Sequence, residues 1–292
     1  MSLTGFVNII KPTGMSSSDV VCKVKKILGT KKVGHLGTLD PAASGVLPLA
    51  VGRATKFFDY FLNKDKIYVA RVQFGVETDT LDSFGTVTAT DNKEISIDKI
   101  KSVLCKFIGK VKQIPPKYSA VKVGGKRAYE LARNDISFEI QPREIDIFSI
   151  DVCETSRKNE FIFVVHCSAG TYIRTLMSDI AREINSISTT FVIIRTKSGL
   201  FDNKSALTLD ELEETKRILL VDEVFKNIPK IEVDEATFKK LVNGVKLRVN
   251  QFGETSLDEN EFFACFGGKL IGMYRSKDGF AEQIVYLYEE GE

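Results

Sequence analysis

Residues 34–48 place one carboxylate in a segment rich in glycine and proline. The segment reads GHLGTLDPAASGVLP, so Asp40 stands between glycines and prolines. A rigid turn of this kind can hold a carboxylate at a fixed angle in a cleft, where it could act as a nucleophile or a base. The alternative is an Asx-turn, in which Asp40 only bonds a backbone N–H beside Pro41. These residues alone favour the Asx-turn.

Other reactive side chains are few. Asp79 and Asp82 could supply a second acid, as in the carboxylate pair of a glycosidase, but we assign them a structural or loop-capping role. The histidines are His35 and His166, and the five cysteines are scattered with no CxxC pair. This supply of side chains predicts neither a metal site nor a disulfide framework.

The charge distribution is uneven along the chain. The 292 residues have a net charge of +2, yet residues 1–201 contain 29 Lys and Arg against 20 Asp and Glu, and residues 202–292 contain 12 against 19. Basic segments at 23–32 and 110–127 suit a polyanionic partner. Lysine-rich segments are more often solvated surface, so charge alone favours that second interpretation.

Composition excludes several protein classes. With 43% hydrophobic and 27% charged residues, the chain is neither disordered nor fibrous. It contains no apolar segment long enough to span a bilayer, and its N-terminus lacks the apolar core of a signal peptide. We expect a cytoplasmic protein.

Apolar periodicity predicts the elements that must position Asp40. Strands are expected at 5–10, 66–76, 143–153, 161–168 and 189–195. Helices are expected at 16–28, 97–107, 128–133 and 172–184. Residues 32–52 should form an irregular ordered loop rather than a helix or strand, because glycines and prolines recur there.

The sequence becomes more acidic after residue 204. Acidic helices are expected around 209–214 and 234–242, and Pro229 marks a boundary. Short strands are expected near 245–249, 262–266, 269–274 and 282–288. The predicted fold is α+β: a mixed, largely antiparallel sheet with flanking helices and a cleft across its face, followed by a small β-rich C-terminal domain.

Several motifs together resemble the TruB family of bacterial tRNA pseudouridine synthases. The matching segments agree with the family in order and spacing and span residues 5–201; they are 11–17, 34–48, 68, 75–82, 113–133 and 170–176. One such motif would be weak, but the set is specific. The resemblance implies a pseudouridine synthase-like catalytic domain at 1–227 and a PUA-like domain at 228–292.

The resemblance assigns the catalytic residues. Asp40 matches the family's essential Asp, and Arg174 matches the Arg expected to pair with it and keep it ionised. Tyr68 matches the strand tyrosine that stacks on the uracil near C5. By residue type alone, Arg174 could be a surface helix arginine and Tyr68 a core tyrosine.

The resemblance also assigns substrate-binding residues. His35 helps to hold the target nucleotide outside the T-loop stack, and Tyr172 and Ile193 belong to the base pocket. Lys11 has a supporting or phosphate-facing role, with a solvated lysine as the alternative. Residues 187–189 and 193–195 depart from the family pattern of Gly-Ala-His and Leu-Arg-Arg. We expect altered RNA affinity there, not lost chemistry.

The implied function is isomerisation of uridine 55 in the T loop of tRNA, with no cofactor and no metal. The insertion at about 110–133 mixes Lys and Arg with tyrosines and would grip the T arm. The expected partner is tRNA, without DNA, a membrane or an obligate protein partner, and the protein should be monomeric. Alternatives are a tRNA-folding chaperone that opens the elbow and an RNA-guided synthase, which the lack of long basic tails disfavours.

Overall fold

The computed structural model describes residues 3–134, 136–253 and 261–289. The helices are α1 (Ser17–Leu28), α2 (Phe58–Leu62), α3 (Ile97–Leu104), α4 (Ala128–Arg133), α5 (Ile173–Glu183), α6 (Leu209–Thr215), α7 (Val221–Val224) and α8 (Glu235–Val242). Short 3-10 helices occupy Gly52–Phe57, Cys105–Phe107 and Val249–Phe252.

Strands account for most of the remaining regular structure. They are β1 (Gly5–Lys11), β2 (Val33–His35), β3 (Ser44–Val51), β4 (Lys66–Phe74), β5 (Val76–Thr78), β6 (Val87–Thr90), β7 (Gly109–Gln113), β8 (Lys122–Val123), β9 (Lys126–Arg127), β10 (Arg143–Glu154), β11 (Glu160–Cys167), β12 (Ser188–Ser198), β13 (Phe201–Asp202), β14 (Lys230–Glu232), β15 (Glu261–Phe266), β16 (Lys269–Lys277) and β17 (Phe280–Tyr286).

A large mixed sheet organises the first part of the chain. Its strands follow the order β1-β3-β12-β4-β11-β10-β7, with β2 beside β3 and β13 beside β12. Within it β3 and β12 pair in parallel, and the other described pairs are antiparallel. The predicted α+β class with a mixed, largely antiparallel sheet is therefore confirmed.

One face of the sheet is packed against helices. Along β4, every second residue from Lys66 to Phe74 is buried, as expected for a strand with one covered face. The buried residues of β4, β11, α1 and α5 form one continuous hydrophobic core. Helix α1 begins with a capping box between Ser16 and Asp19 and ends at Gly29 in the left-handed region.

The prediction of an irregular loop at 32–52 is wrong. Residues 33–35 and 44–51 form β2 and β3, and β3 is an inner strand between β1 and β12. Position 45 of β3 is a glycine because any Cβ there would lie 2.3 Å from the Arg195 carbonyl oxygen. Its glycine therefore serves a close strand-to-strand approach, not a turn. The irregular part is limited to the connection 36–43.

The C-terminal part builds a second sheet in the order β14-β15-β16-β17. The prediction of a strand near 245–249 is wrong. This segment forms only an isolated bridge between Arg248 and Phe280, and the 3-10 helix Val249–Phe252 follows it. Residues 254–260 and 290–292 of the predicted domain 228–292 lie outside the described residues. An aromatic cluster containing Phe57, Phe225 and Phe263 joins this sheet to the first part of the chain.

Across the described ranges, we find no helix with both the length and the apolar character needed to cross a membrane.

Candidate active site

A cavity of about 310 Å³ opens between α5, the connection 36–43 and the sheet. Its volume is at the lower end of the range typical of small-ligand pockets, roughly 300 to 1,000 Å³. Five predicted site residues line it: Asp40, Tyr68, Tyr172, Arg174 and Ile193. These residues come from four separate parts of the chain, and tertiary packing places them around one space.

Arg174, in the first turn of α5, is the centre of the polar contacts. Its side chain is 4% exposed, and Nη2 lies 2.6 Å from Oδ2 of Asp40. Nη1 lies 3.2 Å from Oδ2 of Asp82 and donates to the Thr80 carbonyl, and Nη2 also donates to the Tyr118 carbonyl. The guanidinium thus joins two carboxylates and two backbone carbonyls, a geometry that suits its rigid fork.

The backbone around Asp40 is fixed from several sides. The Ser17 hydroxyl, at the start of α1, donates to the Leu39 carbonyl at 3.0 Å and accepts from the Leu39 N–H at 2.9 Å. The Pro41 carbonyl accepts from the N–H of Gly14 at 2.8 Å. No backbone N–H in the described part of the chain donates to the Asp40 carboxylate, so the Asx-turn interpretation is wrong. The side chain, 37% exposed, faces the cavity.

Tyr68 forms part of the cavity wall from β4. It is buried, and in the sheet it lies opposite Arg195 of β12 and Val165 of β11. Burial raises the pKa of the phenol, and the positive charge of Arg195 opposes that rise. The ring is therefore neutral at physiological pH and presents an aromatic surface with a hydroxyl donor.

Tyr172 and Ile193 complete the wall. Tyr172 immediately precedes α5, and its N–H and carbonyl both bond the Gln113 side-chain amide, at 2.8 and 3.0 Å. Since Gln113 ends β7, these two hydrogen bonds fix the start of α5 to the end of β7, within the insertion. Ile193 is buried on β12 opposite Ala70 of β4. It supplies an apolar side chain to the cavity.

His35 and Lys11 do not line the cavity. Lys11 is 0% exposed, and its Nζ donates to the carbonyls of Pro12 and Met15 at 2.8 and 2.7 Å. A phosphate-facing role for Lys11 is therefore wrong, and the geometry is that of a supporting residue. Burial lowers the pKa of Lys11 to about 8, although the charge of Asp40 opposes the shift. For His35, burial is the main cause of a lowered pKa, followed by the charges of Arg195 and Arg127.

The insertion at 110–133 covers one side of the cavity. Ala120 and Val121 line it, and the Tyr118 carbonyl contacts Arg174. Seven basic side chains of the insertion are exposed on its surface: Lys110, Lys112, Lys117, Lys122, Lys126, Arg127 and Arg133. A second, larger cleft of about 1220 Å³ separates the insertion from α5 and the β5–β6 hairpin.

The chain matches a family model and several curated proteins along most of its length. The family model described as TruB family pseudouridylate synthase (N terminal domain) matches residues 25–173. The chain is 41% identical over 258 residues to tRNA pseudouridine synthase B from Caldanaerobacter subterraneus subsp. tengcongensis, covering 88% of this chain and 90% of that one. The protein of the same name from Clostridium kluyveri is 39% identical over 290 residues, covering 98% and 100%.

The chain belongs to the TruB family. A solved chain of a Cbf5-Nop10-Gar1 complex superposes with a TM-score of 0.72 at 24% identity, covering 98% of this TruB-family chain and 84% of that chain. At this identity the superposition shows the shared fold alone. Membership of the TruB family, together with this shared fold, confirms the predicted pseudouridine synthase-like fold.

Sequence reasoning about this TruB-family chain missed part of what Asp82 does. The predicted loop-capping role is present, because Oδ1 accepts from the Thr80 hydroxyl at 2.7 Å and from the Phe84 N–H at 3.0 Å. The other oxygen faces Arg174. A role for Asp82 at the site was indicated only by its position in segment 75–82, which carries the family resemblance.

Two buried cations at the TruB-family site were also missed. Arg195 and Lys66 line the cavity, and both are almost fully buried. The Nζ of Lys66 donates to the carbonyls of Leu62 and Lys64. Burial lowers the pKa of Lys66 to about 8. With Arg143 and Arg174, these cations give the cavity four basic side chains around the single carboxylate of Asp40.

Ile193, which stands where the TruB pattern has Leu, lines the cavity, whereas the departures at Ser188, Thr189 and Ile194 lie away from it. Ser188 and Thr189 are buried, and their hydroxyls donate to the carbonyls of Met177 and Val76 at 3.0 Å. Ile194 lies on β12 between two cavity residues, so its side chain is on the opposite face of the sheet, where it is partly exposed. These three side chains are not part of the Asp40 pocket.

Proposed function

We propose that this TruB-family synthase isomerises uridine 55 in the T loop of tRNA to pseudouridine, with Asp40 as the catalytic residue. The observation that carries the proposal is the pairing of a cavity-facing Asp40 carboxylate with a buried Arg174 at 2.6 Å. The relatives at about 40% identity are named for tRNA, which supports the same substrate class here.

The reaction is an isomerisation in which atoms and electrons balance within the substrate. The C1′–N1 bond of uridine breaks, the uracil turns in place, and a C1′–C5 bond forms while the proton on C5 is lost and N1 gains one. Asp40 would act as a nucleophile or would abstract a proton from the sugar. Arg174 stabilises the negative charge of that carboxylate, and Tyr68 offers a ring for stacking and a hydroxyl near C5.

The cavity requires an extruded base. A nucleotide inside the T-loop stack cannot reach a pocket of about 310 Å³ that is closed below by the sheet, so the uridine must leave the stack. The exposed basic side chains of residues 110–133 would neutralise phosphates of the T arm on either side of it. His35, which does not line the cavity, would help to hold the extruded nucleotide from outside it.

An unmodified tRNA transcript provides the test. Incubation with the purified protein, followed by carbodiimide treatment and primer extension, should give one adduct, at position 55. A transcript with cytidine at that position should give none. Absence of pseudouridine at position 55 in the first transcript would end the proposal. The affinity for tRNA should fall steeply as salt is added, because phosphate contacts release counterions.

A tRNA-folding chaperone is the second candidate, favoured by the exposed basic insertion next to the pocket. The two functions are compatible, and Asp40→Asn separates them because it removes the carboxylate charge but keeps the side-chain shape. If the Asp40→Asn variant still supports cell growth as well as the wild type, the chaperone role dominates. Loss of that benefit makes modification the main function. Activity on bare tRNA excludes a requirement for a guide RNA.

The domain bounds, the oligomeric state and the cellular location are also proposals. We infer a catalytic domain at 1–227, a PUA-like domain at 228–292, a monomer without an obligate protein partner, and a cytoplasmic location. The separate C-terminal sheet supports the domain assignment, and the aromatic cluster between the parts predicts that they unfold together. Sedimentation with and without tRNA measures the oligomeric state.

A further inference from the structure

We propose that Arg195 is a positioning residue for Asp40, an inference that rests on the proposed function. Arg195 lies on β12, two residues after Ile193, and its side chain is 1% exposed. The guanidinium lies beneath the connection 36–43 that carries Asp40. The arrangement fixes the backbone on the N-terminal side of the catalytic carboxylate.

The Arg195 guanidinium donates hydrogen bonds to three backbone carbonyls. Nε donates to Val46 at 2.8 Å, Nη1 to Thr38 at 3.0 Å and Nη2 to Gly37 at 3.3 Å. Val46 belongs to β3, whereas Thr38 and Gly37 belong to the connection. The side chain therefore ties a connection without regular structure to an inner strand of the sheet.

The charge of Arg195 is not matched by a carboxylate. Within the described residues its guanidinium forms no salt bridge, although a buried cation without a counterion is costly. Neutral carbonyls could be satisfied by a neutral donor, so folding alone gives no reason for an arginine here. Perturbed, uncompensated charges concentrate at functional sites.

The position of Arg195 explains how it acts on Asp40. Ser17 fixes Leu39 from the α1 side, and Arg195 fixes Gly37 and Thr38 from the sheet side. Asp40 immediately follows these three held residues, so its carboxylate meets Arg174 only if both anchors are in place. A displacement of about 1 Å can slow an enzyme roughly a hundredfold.

Arg195→Lys and Arg195→Met test the proposal with a uridine-containing tRNA transcript in single turnover, with enzyme in saturating excess. Lys keeps the charge but its compact ammonium cannot reach all three carbonyls, so we expect the rate constant to fall about tenfold or more, and further for Met. The tRNA dissociation constant, from filter binding, should change less than about twofold, because Arg195 is only 1% exposed at the cavity wall and so offers almost no surface to the RNA.

The rate constant is the deciding measurement because a misfolded fraction lowers the concentration of active enzyme, not the rate at saturation. Arg71→Lys and Arg71→Met are matched controls: Arg71 lies on β4, is partly exposed and pairs with Glu160 at 3.6 Å, outside the cavity. They should retain the wild-type rate constant.

Each outcome bears on one proposal. Wild-type rate constants in both Arg195 variants, with an active wild type, would overturn the positioning role and leave the proposed function intact. An inactive wild type would overturn the proposed function itself. A Lys variant that fails to fold at about 15 °C would also contradict this inference, because the three bonds would then stabilise the whole domain rather than one connection.

Discussion

The guanidinium of Arg174 lies 2.6 Å from the Asp40 carboxylate and is far less exposed than its partner, at 4% against 37%. The arginine is therefore part of the protein interior, and the aspartate is the group that a substrate can reach. Asp82, also buried, holds the other side of the guanidinium at 3.2 Å. A buried cation shared by two carboxylates fixes the orientation of the exposed one.

Arg174→Lys should slow single-turnover pseudouridine formation about a hundredfold or more, because a lysine ammonium cannot hold Asp40 and Asp82 together with the two carbonyls. The measurement is the rate constant with excess enzyme and a tRNA transcript. Arg182→Lys is the control, since Arg182 lies on the same helix but is exposed and pairs with Asp179. A near-normal rate for Arg174→Lys would remove this residue from the catalytic group.

Ser17→Ala should reduce both stability and rate. It leaves the buried N–H and carbonyl of Leu39 without their partner, which costs about 1 to 3 kcal/mol of unfolding free energy. The helix cap is unaffected because Ser16 provides it. Ser18→Ala, at an exposed neighbour, is the control for urea denaturation and single turnover. Equal stability of the two variants would contradict this role for Ser17.

Gly45→Ala should destabilise the protein by more than about 2 kcal/mol. Gly45 has φ +105°, and a Cβ there would lie 2.3 Å from the Arg195 carbonyl oxygen, which belongs to a neighbouring strand and cannot move easily. Gly34→Ala is the control in the same segment, because no atom lies within 4 Å of the added carbon. Similar midpoints of urea denaturation for the two variants would show that β3 can shift.

Lys11→Met should change how stability depends on pH. The pKa of Lys11 is about 8 in the folded protein against 10.5 as its ordinary value, so between these pH values the unfolded chain binds more protons. Wild-type stability should therefore rise relative to Lys11→Met as pH increases from 8 towards 10.5, by up to about 1.4 kcal/mol per pH unit.

Urea denaturation at about pH 7.5, 9 and 10 measures the Lys11 effect as the difference between the two proteins. Below pH 8 the difference should level off, since Lys11 is then protonated in both the folded and the unfolded state. The exposed Lys23→Met should show no such trend. A difference that stays flat as the pH rises above 8 would contradict the burial of a charged Lys11.

Local patterns in the sequence determined much of the fold. The apolar residues of 66–76 indicated β4, and the Ser16–Asp19 cluster and Gly29 indicated the two ends of α1. They failed at β3, where the glycine and proline content indicated a loop. Gly45 is a glycine because β3 approaches the Arg195 backbone closely at this point. This contact between distant residues cannot be read from a local pattern.

The sequence by itself determined the identity of Asp40, Tyr68 and Arg174 as candidates, because segments of fixed order and spacing carry the family resemblance. Only the tertiary structure decided that Lys11 is internal and that Asp82 and Arg195 belong at the site. These placements depend on contacts between residues far apart in the chain, such as Arg174 with Asp40 and Arg195 with Thr38. Burial and hydrogen-bond partners arise only when the elements pack, so residue type and spacing do not contain them.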